Sequence, residues 1–456
     1  MNPRIITIDL GRIYQINDYD ELARMFLPRG SYELVYEQAD VFEGVPAKLA
    51  KAREMYALLS EETGRALPWG ILTGVKPVKK YAALMNPEKA LREDYLVSGE
   101  KIELLRRVHG RQLAVLPEPP AGAVSVYIGI PFCPSRCAYC SFPAAVGTER
   151  QMGRYLAALY REMGYVSRAM RERGLWAESV YIGGGTPTAL TGAMLEDLLA
   201  RAGMSFPGPP GGAPACEFTV EAGRPDTISY LKALTLAQEG VTRVSVNPQS
   251  LHERTLAAIG RQHYASDYAE AMDNVRAAFQ NVTVNTDVIA GLPGESVTDF
   301  ARTLEGVMAQ KPENITVHTL SVKRGSKVHE ADPAYSYSHA GAAGEMLRHA
   351  GAALSEGGYA PYYLYRQKQT VDNLENIGYA FPGTECVYNM RMMQERQTVV
   401  ALGAGASSKL YFPAEDRIER VFNVADVELY MARIDDMVGR KQRMFEGEEG
   451  QGKEKA

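Results

Sequence analysis

The sequence predicts an α/β protein built around an open, partial barrel of six strand–helix units. Three observations lead there. Short β-branched runs recur from Ser125 to Val322, helical periodicity fills most of the gaps between them, and Gly, Pro and polar residues gather where the runs end. Strands alternating with helices argue for parallel βα units, because a parallel connection needs a crossover to bring the chain back.

Residues 1–120 read as a small N-terminal α/β domain. A strand-like IITIDL is followed by helical stretches at Asp40–Glu61 and Tyr81–Val108, with LPWGILTGVKP (Leu67–Pro77) between them. The Pro-rich Leu116–Gly122 reads as a linker. Residues 121–335 hold the barrel. Its strands are Ser125–Pro131, Ser179–Gly185, Glu217–Gly223, Arg243–Ser250, Val282–Pro293 and Asn314–Val322. Helical patterns at Met152–Met170, Met194–Arg201, Asp226–Gln238, Asp267–Gln280 and Val297–Ala309 separate them. Several strands are nearly continuous apolar runs, as strands covered on both faces should be. Residues 336–445 form a mixed C-terminal region expected to cover the substrate, with a tyrosine-rich stretch at Tyr359–Gln369 and a helix near Asp426–Val438. The charged, Gly-rich tail 446–456 is expected to be disordered.

The 456 residues carry a formal charge of -5, which gives no basic excess for nucleic acid. An anionic small molecule stays admissible, because a pocket can be locally basic in an acidic protein. No apolar run reaches the length of a membrane span and the N-terminus lacks a basic-then-apolar leader, so a cytoplasmic protein is predicted. Of five cysteines, Cys133, Cys137 and Cys140 fall within eight residues, whereas Cys216 and Cys386 stand alone and are expected to be buried thiols. Clustered thiols in a reducing compartment point to metal rather than disulfides.

The cluster reads CPSRCAYC, spaced C-x3-C-x2-C. Zinc favours four ligands in two close pairs, and a zinc site here must recruit Cys216, Cys386 or a histidine. Three thiolates instead suit a [4Fe–4S] cubane with one iron left open. That iron can take the amino and carboxylate groups of S-adenosylmethionine (SAM), and one electron passed to the sulfonium then gives a 5′-deoxyadenosyl radical. In barrels of parallel strands the chemistry sits at the C-terminal strand ends. The cysteine loop, GGGTPT (Gly183–Thr188), Glu221, Gln249 and GLPGE (Gly291–Glu295) all fall on that rim.

The C-x3-C-x2-C spacing, with Tyr139 before the last cysteine, resembles the signature of the radical SAM superfamily, and GGGTPT resembles its glycine-rich motif. More narrowly, YIGIPFCPSRCAYCSF, IGGGTPT, RVSVNPQS, the GRQH at Gly260–His263 and DVIAGLPGE (Asp287–Glu295) resemble, in order, the oxygen-independent coproporphyrinogen III oxidases. LPWGILTGVKP and YYLYRQKQTVDNLENIGYA resemble their HemZ branch, the coproporphyrinogen dehydrogenases, and carry the likeness over most of the chain. The resemblance implies a partial (β/α)6 radical SAM barrel with a small N-terminal α/β domain and a mixed C-terminal region. It implies a cluster on Cys133, Cys137 and Cys140, with Tyr127 near it and catalytic roles for Tyr127 and Glu221. SAM would meet Gly183, Gly184, Gly185 and Thr186 by its amino group, and Glu221, Gln249, Arg261 and Asp287 by its ribose, amino or carboxylate groups. Ile289 and Gly291 would flank the adenine. The glycines of GGGTPT are read as clearing the approach of the SAM amino group.

Two positions depart from the oxidase pattern. Phe142 stands where the oxidases carry a fourth cysteine, and Gly129 where they carry histidine. Phe142 matches the related haem chaperones, yet DNLENIGYA (Asp372–Ala380) replaces their H-N-x-x-Y-W stretch. The implied activity is oxidative decarboxylation of coproporphyrinogen III to protoporphyrinogen IX in haem biosynthesis, with an electron donor such as a flavodoxin or ferredoxin. The alternative is a haem- or porphyrin-binding delivery protein that keeps the cluster without decarboxylating. Four propionates call for cations, and Lys323, Arg324, Arg366 and Lys368 are the candidates.

Overall fold

The computed structural model describes residues 5–42, 44–211, 213–338 and 341–447. Its strands are β1 (Ile6–Ile13), β2 (Tyr32–Gln38), β3 (Ala123–Ile130), β4 (Trp176–Gly184), β5 (Glu217–Ala222), β6 (Arg243–Val246), β7 (Thr283–Ala290), β8 (Asn314–Thr319), β9 (Ala360–Arg366), β10 (Glu375–Ala380), β11 (Val399–Leu402), β12 (Ser407–Phe412) and β13 (Arg417–Phe422). The chain divides into two compact units. The larger holds residues 116–288, 302–316 and the described residues from 380 on; the smaller holds the described residues up to 115, with 289–301 and 317–379.

In the larger unit β3 to β7 lie side by side in chain order and every pair is parallel. β8 follows β7 in the same sheet. Helices Glu149–Glu172, Gly192–Ser205, Tyr230–Gln238 and Ala265–Ala278 return the chain between these strands, as the periodicity predicts. The order of strands stays open, so no closed barrel forms among the described residues. The sequence pattern does not announce β11, whose four residues pair in parallel with β3 on the side away from β4. β12 and β13 continue outward as an antiparallel pair. A strand of four residues carries too little period to be read from sequence.

Three carboxylates fasten this unit internally. Glu178 accepts from Arg391 Nε and Nη2, each at 2.8 Å, and from the Gln397 amide at 2.7 Å. Glu162 accepts from Tyr430 Oη at 2.6 Å, Asn423 Nδ2 at 2.8 Å and the Gly403 N–H at 2.9 Å, with Lys441 Nζ at 3.6 Å. Glu217 accepts from Arg243 Nε, from the N–H groups of Val387 and Tyr388, and from Cys386 Sγ, so it caps the helix Val387–Gln394. Cys386 is buried as expected, whereas Cys216 is exposed, because it falls in the Pro- and Gly-rich approach to β5 rather than in the strand.

The smaller unit opens with β1 and β2, a two-stranded parallel sheet. Such a sheet cannot stand alone, and here Ile8, Leu10 and Ile13 pack with Leu22 and Phe26 of the helix Asn17–Phe26 and with Met55 and Leu59 of the helix Val45–Thr63. β2 is absent from the sequence expectation: most of its residues are exposed, and only Tyr32 and Leu34 pack on this core. The helix expected over Tyr81–Val108 is broken into Pro77–Ala83, Pro87–Glu93 and Gly99–Val115. Pro87 has no N–H for an interior turn and starts a new helix instead. The tyrosine-rich stretch becomes β9, next to β10. The tail predicted as disordered lies, from 448 on, outside the described residues.

Candidate functional site

β3 ends at Ile130 and hands the chain to the cysteine loop. Ala145 donates to Pro131 O and Cys133 donates to Ala145 O, closing the loop, while Ala138 donates to Ile259 O at 2.8 Å and ties it to GRQH. Cys133, Cys137 and Cys140 are free thiols, each half-buried. Burial pushes the Cys133 thiol up to about 12, with further upward push from Cys137 and Cys140. Burial also raises Cys140, against the lowering N–H of Phe142. All three thiols belong to this one short loop. No three His, Cys, Asp or Glu side chains converge on a single ion-sized point among the described residues. A cubane does not ask for that, since each thiolate binds a different iron, so this donor set fits a cluster better than zinc.

Next along the rim is the end of β4. Gly185 donates to Ile130 O at 2.8 Å and Thr186 to Phe132 O at 2.7 Å, zipping GGGTPT against the start of the cysteine loop. A Cβ on Gly185 would sit 2.4 Å from Phe132 O, and one on Gly184, at φ +118°, 2.9 Å from Ile130 O. These two glycines are thus demanded by the neighbouring backbone itself, a nearer reason than the ligand approach read from sequence. Gly183 answers to a different neighbour: a Cβ there would meet the Glu221 carboxyl and the Tyr181 ring, both at 2.9 Å.

Glu221, near the end of β5, accepts from Tyr181 Oη at 2.5 Å and from the Gly184 N–H at 3.3 Å. Tyr127 on β3, Tyr181 on β4 and Tyr388 form a stack of rings, with centroids 4.6 Å apart for Tyr181–Tyr388 and 6.2 Å for Tyr127–Tyr181. Burial raises the Tyr127 phenol, and the Glu221 charge raises it further. Neither Tyr181 nor Tyr388 stands out in the sequence as a site residue. A signal is there for one of them: SVYIG occurs at Ser125–Gly129 and again at Ser179–Gly183, and the parallel register sets Tyr127 beside Tyr181.

Beyond β6, Gln249 takes a left-handed backbone, φ +69°, that side chains seldom adopt. Its N–H donates to Asp287 O at 3.1 Å, and its buried Oε1 meets no partner among the described residues. Arg261 is buried, donating to Asn247 O at 2.6 Å, Gly223 O at 3.3 Å and Tyr139 Oη at 3.1 Å, while its Nε is unpartnered. The aromatic of CAYC thus has a physical role, bracing a guanidinium behind the cysteines. Asn247, within RVSVNPQS, is a further residue that the motif reading omits; its Oδ1 accepts the Asp287 N–H at 3.1 Å and so sets the end of β7. Cysteine loop, GGGTPT, Glu221, Gln249, Arg261 and Asp287 all lie in the larger unit.

Ile289 and Gly291 fall in the smaller unit. Ile289 is buried, and Gly291, at φ +84°, donates to Met346 Sδ at 3.2 Å and accepts from Tyr335 Oη at 3.2 Å. The four candidate substrate cations are here too. Arg366 is buried, donates to Leu72 O and to Asn373 O, and has the Trp69 ring 5.3 Å away. Burial pulls its guanidinium down to about 10. Lys368 is exposed and paired with Glu21. Both line a shallow cleft with Arg24, Thr73 and Asn373. Lys323 is half-buried and Arg324 exposed. Trp69 Nε1 and Lys101 Nζ each donate to Glu375 at 2.7 Å, so the LPWG and LENIG stretches hold each other in the core of this unit.

A fold of parallel βα units with a three-thiol loop and a glycine-rich turn on one rim defines a class, and the model of the radical SAM superfamily matches residues 127–307. The oxygen-independent coproporphyrinogen-III oxidase-like protein HemZ of Bacillus subtilis is 40% identical over 400 residues, covering 85% of this chain and 79% of that protein. The haem chaperone HemW of Mycobacterium tuberculosis is 30% identical over 61% of this chain and 67% of its own length. Among solved structures, the coproporphyrinogen III oxidase HemN of Escherichia coli superposes with a TM-score of 0.52 at 22% identity, covering 72% of this chain and 73% of its own. The chain belongs to the radical SAM superfamily and, within it, to the HemZ-like oxygen-independent coproporphyrinogen oxidase homologues.

Proposed function

We propose that this chain holds a [4Fe–4S] cluster on Cys133, Cys137 and Cys140 and SAM beside it, and decarboxylates coproporphyrinogen III to protoporphyrinogen IX without oxygen. When bound, cluster and SAM would supply a carbon-centred radical that takes hydrogen from the β-carbon of a propionate; CO2 would then leave and the remaining electron pass to a one-electron acceptor, giving a vinyl group, and the step occurs twice. One observation carries the reading: Gln249 Oε1 and Arg261 Nε are buried and unpartnered on the rim that carries the cysteines. Buried polar atoms are ordinarily satisfied, so such a set suits a polar ligand.

In this reading the residues divide the work. Glu221 offers a carboxylate to the SAM ammonium, Gln249 Oε1 accepts from the same ammonium, Arg261 Nε donates to its carboxylate, and Asp287 takes its ribose. Gly184 and Gly185 hold β4 against the cysteine loop, which fixes the distance between ligand groups and thiols. Ile289 and Gly291 flank the adenine, and Tyr127 forms the wall beneath the cluster. Arg366 and Lys368, in the cleft of the smaller unit, with Lys323 and Arg324, take substrate carboxylates, and the stretch 336–445 supplies the cover. The electron arrives from a donor such as a flavodoxin or ferredoxin in the cytoplasm. No described helix is long and apolar enough to cross a membrane.

Phe142 favours a second reading, a haem-delivery protein: it replaces the fourth cysteine and stands 62% exposed beside the loop. Anaerobic incubation of the cluster-loaded chain with SAM, a reductant and coproporphyrinogen III separates the two. Vinyl products with 5′-deoxyadenosine support the enzyme; tight haem binding without porphyrin turnover supports delivery.

A further inference from the structure

Glu221 is held by a neighbour that no motif names. Its carboxylate receives the Tyr181 hydroxyl at 2.5 Å on one oxygen and the Gly184 N–H on the other. The Tyr181 ring is fixed in turn. Tyr388 stacks on it at 4.6 Å with planes 26° apart, and Tyr127 lies 6.2 Å from it at 21° and 6.4 Å from Tyr388, so the three rings pack against one another. Tyr388 comes from the helix Val387–Gln394, whose first turn is pinned by Glu217. Gly183 leaves the space the pair occupies, since any side chain there would strike both Tyr181 and Glu221.

We propose that Tyr181 is a positioning residue for SAM: its hydroxyl orients the Glu221 carboxylate toward the ligand ammonium, with the Tyr127–Tyr181–Tyr388 stack setting the angle. This rests on the reading above in which Glu221 meets SAM. The physics favours it. A carboxylate on a rotatable side chain loses conformational freedom when it grips a cation, and a hydroxyl that has already fixed it removes part of that cost. Burial and the Glu221 charge hold the Tyr181 phenol protonated, well above its ordinary range, so it remains a donor at neutral pH. A hydrogen bond to a charged partner is among the stronger ones in a protein.

The test is equilibrium binding of SAM to the cluster-loaded full-length chain, with iron content and thermal midpoint measured on every variant. Glu221→Gln is the benchmark and weakens SAM. Tyr181→Phe keeps the ring and loses only the hydroxyl; it raises the SAM Kd about tenfold, the worth of one charge-assisted hydrogen bond, with iron content unchanged. Tyr388→Phe preserves the stack and leaves Kd within about twofold. In the Glu221→Gln background, Tyr181→Phe adds little, because the two act as one unit. If Glu221→Gln weakens SAM while Tyr181→Phe binds like the native chain, the proposal fails and the SAM reading stands. If neither variant weakens SAM, the reading of Glu221 falls and takes the proposal with it. Equal losses for Tyr181→Phe and Tyr388→Phe, or a Tyr181→Phe chain that does not fold, assign the hydroxyl to the fold and overturn the proposal.

Discussion

Glu217 and Glu221 are four residues apart on β5, on the same face of the strand, yet their surroundings differ in kind. Glu217 is buried and takes Arg243 Nε, two backbone N–H groups and the Cys386 thiol. Glu221 is half-buried and sits on the rim where Gln249 and Arg261 keep buried atoms unpartnered. One end of the sheet spends its polar groups on itself; the other withholds them. That is the division expected of parallel barrels, with stability at the N-terminal strand ends and chemistry at the C-terminal ends.

The contrast can be broken outright at the rim. Cys137→Ala is expected to abolish cluster loading, with iron content falling to background, while the thermal midpoint of the unloaded chain changes little because the thiol is half-buried in a loop. A large loss of unloaded stability would show the loop to be part of the core. At the other end Glu217→Ala leaves the Arg243 guanidinium buried without its carboxylate and frees the helix that carries Tyr388. Removing one partner of a buried pair costs about 3–5 kcal/mol, read from the urea midpoint of the unloaded chain. A cost below about 1 kcal/mol would place Glu217 among surface pairs.

Alkaline pH sharpens the comparison. Burial raises the phenols of Tyr127, Tyr181 and Tyr388, the first two helped by Glu221 and Tyr388 by Tyr127. A group with a raised folded pKa contributes stability below its unfolded value, and loses it as pH climbs toward the folded one. Unfolding free energy should therefore fall above about pH 10, by up to about 1.4 kcal/mol per pH unit for each phenol. Urea titrations at a series of alkaline pH values check the slope, and Tyr388→Phe should reduce it. The smallest effect is expected at the surface of the smaller unit: Lys368→Ala removes an exposed pair with Glu21 and costs about 0–1 kcal/mol in the same assay.

Much of the larger unit is legible in the sequence because its strands are buried on both faces and announce themselves as apolar runs. The motif residues of the rim are legible because strand ends and tight turns demand particular residue types, as at Gly184 and Gly185. What escapes does so for physical reasons. β2 is short and mostly exposed, β11 has four residues, and Pro87 divides a helical pattern that periodicity alone joins. The close backbone approach of β4 to the cysteine loop, which requires Gly184 and Gly185, is invisible in one dimension. Tyr388 reaches the stack from about 200 residues downstream of Tyr181, a distance no local pattern spans.

The parallel pairing of β11 with β3 sets a condition on how the chain is made. β3 leaves the ribosome first, and the strand that covers its outer side follows about 270 residues later. At ordinary synthesis rates the edge stands open for roughly 15 s to a minute. An apolar strand with unpaired backbone groups is a template for the wrong neighbour. The strand that presents the cysteines thus waits with one edge open in the nascent chain, and expression at lower temperature or with strand-shielding chaperones should raise soluble yield.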